Sequence, residues 1–547
     1  MIRKKLLLLM LMAAATATMS AYNFVVDGIY YNINADTTSV SVTYKGSSST
    51  GNTYSGQVTI PAEVSYNGMT YTVTSIGGDA FNKCTGLTRV DLPNTISSIG
   101  RNAFHGCTAL NHINIPNSVT FIGGDAFMSC SSLTELFIPA SVQTIELMSF
   151  SYCYGLTSIV VDENNLYYDS RDNCNAIIGK ANSELLAACV NTVIPNSVKR
   201  LAADAFNGFT WLTEVNLPDS LEYIGASAFR GCTGLSYIEI PNQVTEIADC
   251  AFAGCTGLTE VELPESLQYL GGCVFMDCPC LTSLFIPANV TRILGGLTTR
   301  DYNLTNIVVD PRNTKYDSRD NCNAIIEKKY LGRFTNLIEG CNNSFIPEGV
   351  THIGSMAFAY CDKITEIEFP NSLINIDAGA FYECSALTSV YIPEGVRQIG
   401  LDAFRNCTNL ISISLPSTMN NIGTFNIGTY CFYGCTNLED VICFSLYPPR
   451  YEMYGFFESS TYSNARLHVP EEAIEAYKNA SYWRNFITIL PIGDINGDGS
   501  VAISDVTGLI DLLLSGEELP AWGDCNGDGK VTVADATTII DKLMEMN

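Results

Sequence analysis

Residues 103–123 read Ala103-Phe104-His105-Gly106-Cys107-Thr108-Ala109-Leu110-Asn111-His112-Ile113-Asn114-Ile115-Pro116-Asn117-Ser118-Val119-Thr120-Phe121-Ile122-Gly123. Its Ala-Phe landmark returns every 23 residues at Phe81, Phe104, Phe127 and Phe150, then at Phe206, Phe229, Phe252 and Phe275, and again at Phe358, Phe381 and Phe404. A twelfth copy, Phe432, follows after 28, with the extra residues in Asn421 to Tyr430. Within the unit, Ile113 and Ile115 are two apart and point to one side of a short strand. Pro116 ends that strand, because it has no N–H to offer a growing ladder. Val119, Ile122 and the Ala-Phe pair complete the interior of one coil. A 23-residue coil cannot bury this interior alone, so the coils stack and share a continuous core. The pattern predicts a β-rich repeat solenoid over residues 75–445.

Leu110, Ile113 and Ile115 have the Leu-x-x-Leu-x-Leu spacing of a leucine-rich repeat, whose period is 20–29 residues. With the recurring Ala-Phe-x-x-Cys-x-x-Leu frame, the chain resembles the BspA-like leucine-rich repeat proteins of bacterial and protist surfaces. Two longer spacings, Phe150 to Phe206 and Phe275 to Phe358, both contain Tyr-Asp-Ser-Arg-Asp-Asn-Cys-Asn-Ala-Ile-Ile, at 168–178 and 316–326. The middle is therefore a duplicated block with enlarged coils at about 154–200 and 302–350, read as inherited variants of the repeat rather than ligand loops. Residues 21–74, rich in Val, Tyr and Thr, are expected to form a β-rich N-terminal cap. Residues 446–492 resemble the terminal segment of the repeat family, with a short helix from Glu471 to Asn479.

Eleven of the 21 cysteines stand three residues after a landmark Phe, and at the twelfth place stands Phe209. A Phe can replace a Cys in a core but not in a disulfide, so these are buried thiols acting as small hydrophobes. Cys174 with Cys189, and Cys322 with Cys341, are the better disulfide candidates in a chain of this class.

The C-terminus carries a second duplication. Asp494-Ile495-Asn496-Gly497-Asp498-Gly499-Ser500, ending at Asp505, is repeated as Asp524-Cys525-Asn526-Gly527-Asp528-Gly529-Lys530, ending at Asp535. Oxygen side chains fall at loop positions 1, 3, 5 and 12, with Gly at 6, which is what Ca²⁺ with its 6–8 oxygen ligands requires. Ser500 and Lys530, at position 7, would supply backbone carbonyls. Pro491 and Gly493, and Pro520 and Gly523, oppose an entering helix. Helical periodicity follows each loop, over Val506 to Leu514 and Val533 to Met546. This loop-then-helix pair, over 493–547, resembles a type I dockerin, a small α-helical module that binds two Ca²⁺ ions and docks to a cohesin. The resemblance implies partner contacts at loop positions 10 and 11, here Ile503 and Ser504, and Val533 and Ala534. The chain departs there from the small-hydroxyl pair usual in the family.

Arg3-Lys4-Lys5 precedes an apolar run from Leu6 to Ala15, with small residues Thr18 and Ser20 before a cleavage point near Ala21. Residues 1–20 thus read as a secretory signal peptide. The formal net charge is −27. Outside the calcium module and the signal peptide there remain 45 acids and 24 bases. That balance argues against nucleic acid, whose phosphates need basic patches. No stretch predicts a transmembrane helix. The four His, at 105, 112, 352 and 468, form no metal-protease motif, and neither a nucleophile elbow nor a phosphate loop occurs. Outward strand positions include Phe137, Tyr237, Glu239, Phe285 and Tyr391, a candidate face for a protein or polysaccharide ligand. The reading is a secreted, non-enzymatic recognition protein carried on a cohesin-docking module. The alternatives are a surface adhesin with the calcium module as a cap, and a dockerin-borne polysaccharide hydrolase.

Overall fold

The computed structural model describes residues 22–45, 54–330, 332, 334–419, 427–450, 455–516 and 519–545. The signal-peptide segment 1–20 lies outside them, as do residues 421–426 of the extra stretch before Phe432. The fold is a β-solenoid followed by a small helical module, and it divides into two compact units after Cys255.

In the first unit, strands Phe24–Val26, Ile29–Ile33 and Ser39–Thr43 form an antiparallel cap. Phe24 stacks on Tyr66, with ring centroids 4.4 Å apart. Ser39–Thr43 then pairs in parallel with Met69–Ile76, and the coils begin. Most coils bring the expected strand, as in Leu87–Asp91 paired with His112–Ile113, while residues 212–218 of the coil after Phe206 form none. Every coil here also adds a second, two-residue strand, so that Ile76, Ile99, Ile122 and Ile145 run in parallel register. Two residues are too few to show a period in sequence, and this second ladder was not anticipated.

Between the two strands lies the Ala-Phe turn. The residues two before and two after the landmark Phe take a left-handed backbone, as at Asn102 (φ 54°) and Gly106 (φ 70°). Asn, Asp and Gly tolerate that conformation at least cost, which accounts for their recurrence there. The Phe rings form a column, stacked at 5.0 Å (Phe81–Phe104), 5.2 Å (Phe104–Phe127) and 5.3 Å (Phe127–Phe150). The cysteines do more than fill space. The Cys107 thiol donates to the Phe81 carbonyl one coil back at 3.1 Å, Cys130 to Phe104 at 3.2 Å and Cys153 to Phe127 at 3.1 Å. Burial pushes these thiols up, Cys153 to about 12. Cys174, Cys189, Cys322 and Cys341 are free buried thiols as well, which overturns the disulfide expectation. Cys189 and Cys341 instead donate to the Asn175 and Asn323 carbonyls at 3.3 and 3.4 Å.

Each enlarged coil is a small antiparallel excursion returned to the parallel ladder. In the first, Tyr168–Asp169, Ala176–Gly179 and Glu184–Ala188 pair antiparallel before Glu184–Ala188 joins Arg200–Leu201 in parallel. Two side chains at the start of each insertion stitch it down. Asn165 donates to the Pro139 and Val142 carbonyls, and the Tyr168 hydroxyl accepts the Ile145 N–H. Asn313 and Tyr316 repeat these bonds in the second unit.

Within the second unit the rings of Phe358, Phe381, Phe404, Phe432 and Phe457 stack in a column. Its last parallel sheet runs Ser389–Tyr391, Ser412–Leu415, Asp440–Cys443, Arg466–Val469 and Thr488–Pro491. The cap adds helices α1 (Ser459–Asn464) and α2 (Ile474–Asn479), the second preceded by a 3₁₀ turn at Glu471–Ala473 that begins where the sequence placed its helix. Buried Trp483 closes the core, its indole N–H donating to Pro449 O at 3.1 Å. Helices α3 (Ile503–Ser515) and α4 (Val533–Glu545) belong to the C-terminal module.

Candidate calcium loops and docking surfaces

Helices α3 and α4 meet through Val506, Leu509, Ala536 and Ile539, a core far smaller than the solenoid's. Four buried residues give a module of this size little stability, so the loops must carry part of it. The two loops match in the backbone bonds made to their first and last Asp. Asp494 Oδ1 accepts the N–H groups of Gly497 (2.8 Å) and Asp498 (3.1 Å), and its Oδ2 accepts Gly499 N–H at 2.8 Å. Asp524 does the same with Gly527 (2.7 Å), Asp528 (3.1 Å) and Gly529 (2.8 Å). Asp505 Oδ1 accepts Ile495 and Asn496 N–H, and its Oδ2 takes the Ala502 N–H ahead of α3. Asp535 holds Cys525, Asn526 and Thr532 identically ahead of α4.

Asp494, Asp505, Asp524 and Asp535 are all buried. Burial pushes the Asp524 carboxyl up to about 6, the N–H groups of Gly529 and Gly527 oppose it, and the Asp535 charge adds to it. Two carboxylates buried side by side in each loop without a counter-charge are costly, and a bound cation removes that cost. Among the described residues no three acidic, Cys or His side chains converge on one point. A cation would take the remaining oxygens from Asn496 or Asn526, Asp498 or Asp528, and the carbonyl of Ser500 or Lys530. All of these are oxygen donors, the set that fits Ca²⁺.

Ile503 and Val533, at position 10 of each loop, are 74% and 68% exposed in the first turns of α3 and α4. Ser504 and Ala534 beside them are exposed too. Leu514 and Met544, on the same helices, are also open to solvent. Ile503, Val533, Leu514 and Met544 thus leave apolar side chains bare on both helices of the module.

On the solenoid, Phe137, Tyr237 and Phe285 are exposed, as is Glu239. Phe137 lies beside exposed Val160 on the next strand, and Phe285 beside exposed Val308. Both valines were missed, since a Val in an outward place reads as strand propensity. Tyr391 departs from the expectation of an open ligand face. It is only partly exposed, because its hydroxyl donates to the Gly527 carbonyl of the calcium module.

Residues 41–177, 185–304, 333–442 and 423–482 match the family model of the BspA type leucine rich repeat region, in six copies. The chain belongs to that family. Residues 492–544 match the dockerin type I domain. The chain is similar to a leucine rich cell surface protein of Faecalibacterium prausnitzii, at 22% identity over 82% of this chain and 98% of that one, with a TM-score of 0.37. A leucine-rich repeat protein of Bacteroides ovatus matches at 24% identity over 82% and 100%, with a TM-score of 0.33. No curated protein matches. Both modules are extracellular or cell-surface, non-catalytic kinds, and a dockerin is a calcium-binding module. No helix among the described residues is long and apolar enough to cross a membrane.

Proposed function

We propose that this chain is a secreted adaptor: the calcium loops order a docking module for a cohesin-like partner, and the solenoid face binds an extracellular protein or polysaccharide. The observation that carries the reading is the matching backbone-to-Asp bonds of two loops whose position-10 residues, Ile503 and Val533, are bare. Two Ca²⁺ ions, one per loop, neutralise Asp494 with Asp505 and Asp524 with Asp535. The first turns of α3 and α4 then hold Ile503, Ser504, Val533 and Ala534 in fixed places for a partner. Residues 1–20 direct export, and no chemistry is assigned to the chain itself.

The test is binding of the full chain to cohesin domains in calcium and in chelator. Calcium-dependent binding that is lost in Ile503→Asp combined with Val533→Asp supports the docking role. Calcium uptake with no cohesin bound would make the module a cap, and the protein a surface adhesin. For the solenoid, Tyr237→Ser with Phe285→Ser should weaken capture of matrix proteins or polysaccharide without loss of folding. Unchanged capture rejects that face.

A further inference from the structure

The two calcium loops share every backbone bond to their first and last Asp, yet their surroundings differ. At Gly497 and Gly499 of the first loop an added Cβ would meet open space. At Gly529 of the second it would come within 2.9 Å of the Tyr391 ring, and at Gly527 within 3.3 Å of the Phe444 ring. Tyr391 Oη also donates to the Gly527 carbonyl. Just ahead of this loop, the Trp522 indole lies parallel to the His468 imidazole, with centroids 5.7 Å apart and planes at 7°. The Arg466 guanidinium sits 4.2 Å from the centre of the Trp522 ring, within cation–π range. Buried Asp440 fixes this platform, accepting Arg466 Nε and Nη2 at 2.8 and 2.9 Å and pairing with His468 Nε2 at 2.9 Å. Tyr391, Phe444, Arg466 and His468 all come from strands, or the residue after one, of a single parallel sheet.

We propose that these four side chains form a seat for the second calcium loop, and that calcium binding there is linked to docking of the module on its own solenoid. The inference rests on the calcium reading above. Gly527 and Gly529 take φ of 73° and 83°, the turn that lets the N–H groups of Gly527, Asp528 and Gly529 converge on Asp524. The same turn aims the Gly527 carbonyl outward at Tyr391. One backbone shape therefore serves the ion and the seat together. Without an ion, buried Asp524 and Asp535 repel each other and the turn is free to open. Linkage is reciprocal: a seat that favours the folded loop raises that loop's calcium affinity, and calcium raises the affinity for the seat. At Gly497 and Gly499 the first loop meets no such seat. Since Ile503 and Val533 remain bare, the seated module keeps its outward docking surface. Removal of calcium uncovers Tyr391 and Phe444 instead.

Calcium titration of the full chain, with each loop silenced in turn, tests this. In an Asp505→Ala background only the second loop binds, and adding Tyr391→Ser should weaken it about five- to tenfold, the loss of one hydrogen bond and a ring contact. In an Asp535→Ala background only the first loop binds, and Tyr391→Ser should leave it unchanged. Independently, amide exchange in the wild type should show residues 440–444 and 466–468 protected in calcium and released by chelator, with 104–113 unaffected. Equal effects of Tyr391→Ser on both loops, no effect on either, or protection indifferent to chelator would each overturn the seat while leaving the calcium reading intact. No calcium uptake by either single-loop protein would overturn both.

Discussion

Replacing Glu339 by Ala should destabilise the protein at pH 5 and hardly at all at pH 8. Thr298 and Asp301 occupy the places of a landmark Phe and its Cys, 23 residues after Phe275 and Cys278. Arg300 has the left-handed backbone (φ 70°) that marks this turn in other coils. The second insertion interposes Gly340, whose N–H takes the Ala357 carbonyl at 2.7 Å. Glu339 serves the N–H groups of the displaced turn: Oε2 accepts Leu297 N–H at 3.0 Å, and Oε1 accepts Thr298 N–H at 2.9 Å and its hydroxyl at 2.7 Å. Burial pushes the Glu339 carboxyl from 4.5 up to about 7, with those N–H groups pulling the other way. Between these values the folded chain holds a proton that the unfolded chain has released, so stability falls as pH rises. The displacement is worth about 3 kcal/mol, fully present below pH 4.5 and lost as pH rises through 7. Burial also raises the facing groups, Asp301, Cys341 and Cys361. At pH 5 the substitution strands two buried N–H groups at about 2–4 kcal/mol. At pH 8 the wild type has already lost most of that advantage. Urea unfolding of both proteins in saturating calcium gives the two differences. A cost equal at both pH values, or larger at pH 8, refutes the reasoning.

Phe104→Ala opens the column between Phe81 and Phe127 and should cost about 3–5 kcal/mol in urea unfolding. Cys107→Ala removes a thiol hydrogen bond to Phe81 O and should cost about 1–2 kcal/mol by the same measurement. Native alkylation at pH 8 followed by peptide mapping should modify exposed Cys280 first, with the buried column reacting only in denaturant. Asp505→Ala or Asp535→Ala should each lower the calcium stoichiometry from two to one by calorimetry, and the double substitution should abolish it.

What could be read from sequence is what repeats or is local. Phe104 and Cys107 were legible because one core position recurs at 23 residues, and a stacked coil has no other way to bury it. The calcium loops were legible because Asp494 through Asp505 fold on themselves. Thr298 and Asp301 escaped because a search for Phe and Cys finds identities, whereas the turn is defined by register and backbone. The seat under Gly527 was out of reach for a different reason. Tyr391 lies 136 residues away in sequence, and nothing in its own coil distinguishes a Tyr that faces solvent from one that faces a loop. Both misses have one physical origin. A solenoid fixes each residue by its neighbours one coil away, so any departure from the period, polar like Thr298 or covered like Tyr391, must be compensated by a partner outside the pattern. Glu339 for the first and Gly527 for the second are those partners, and in this fold the breaks in the repeat are where to look for function.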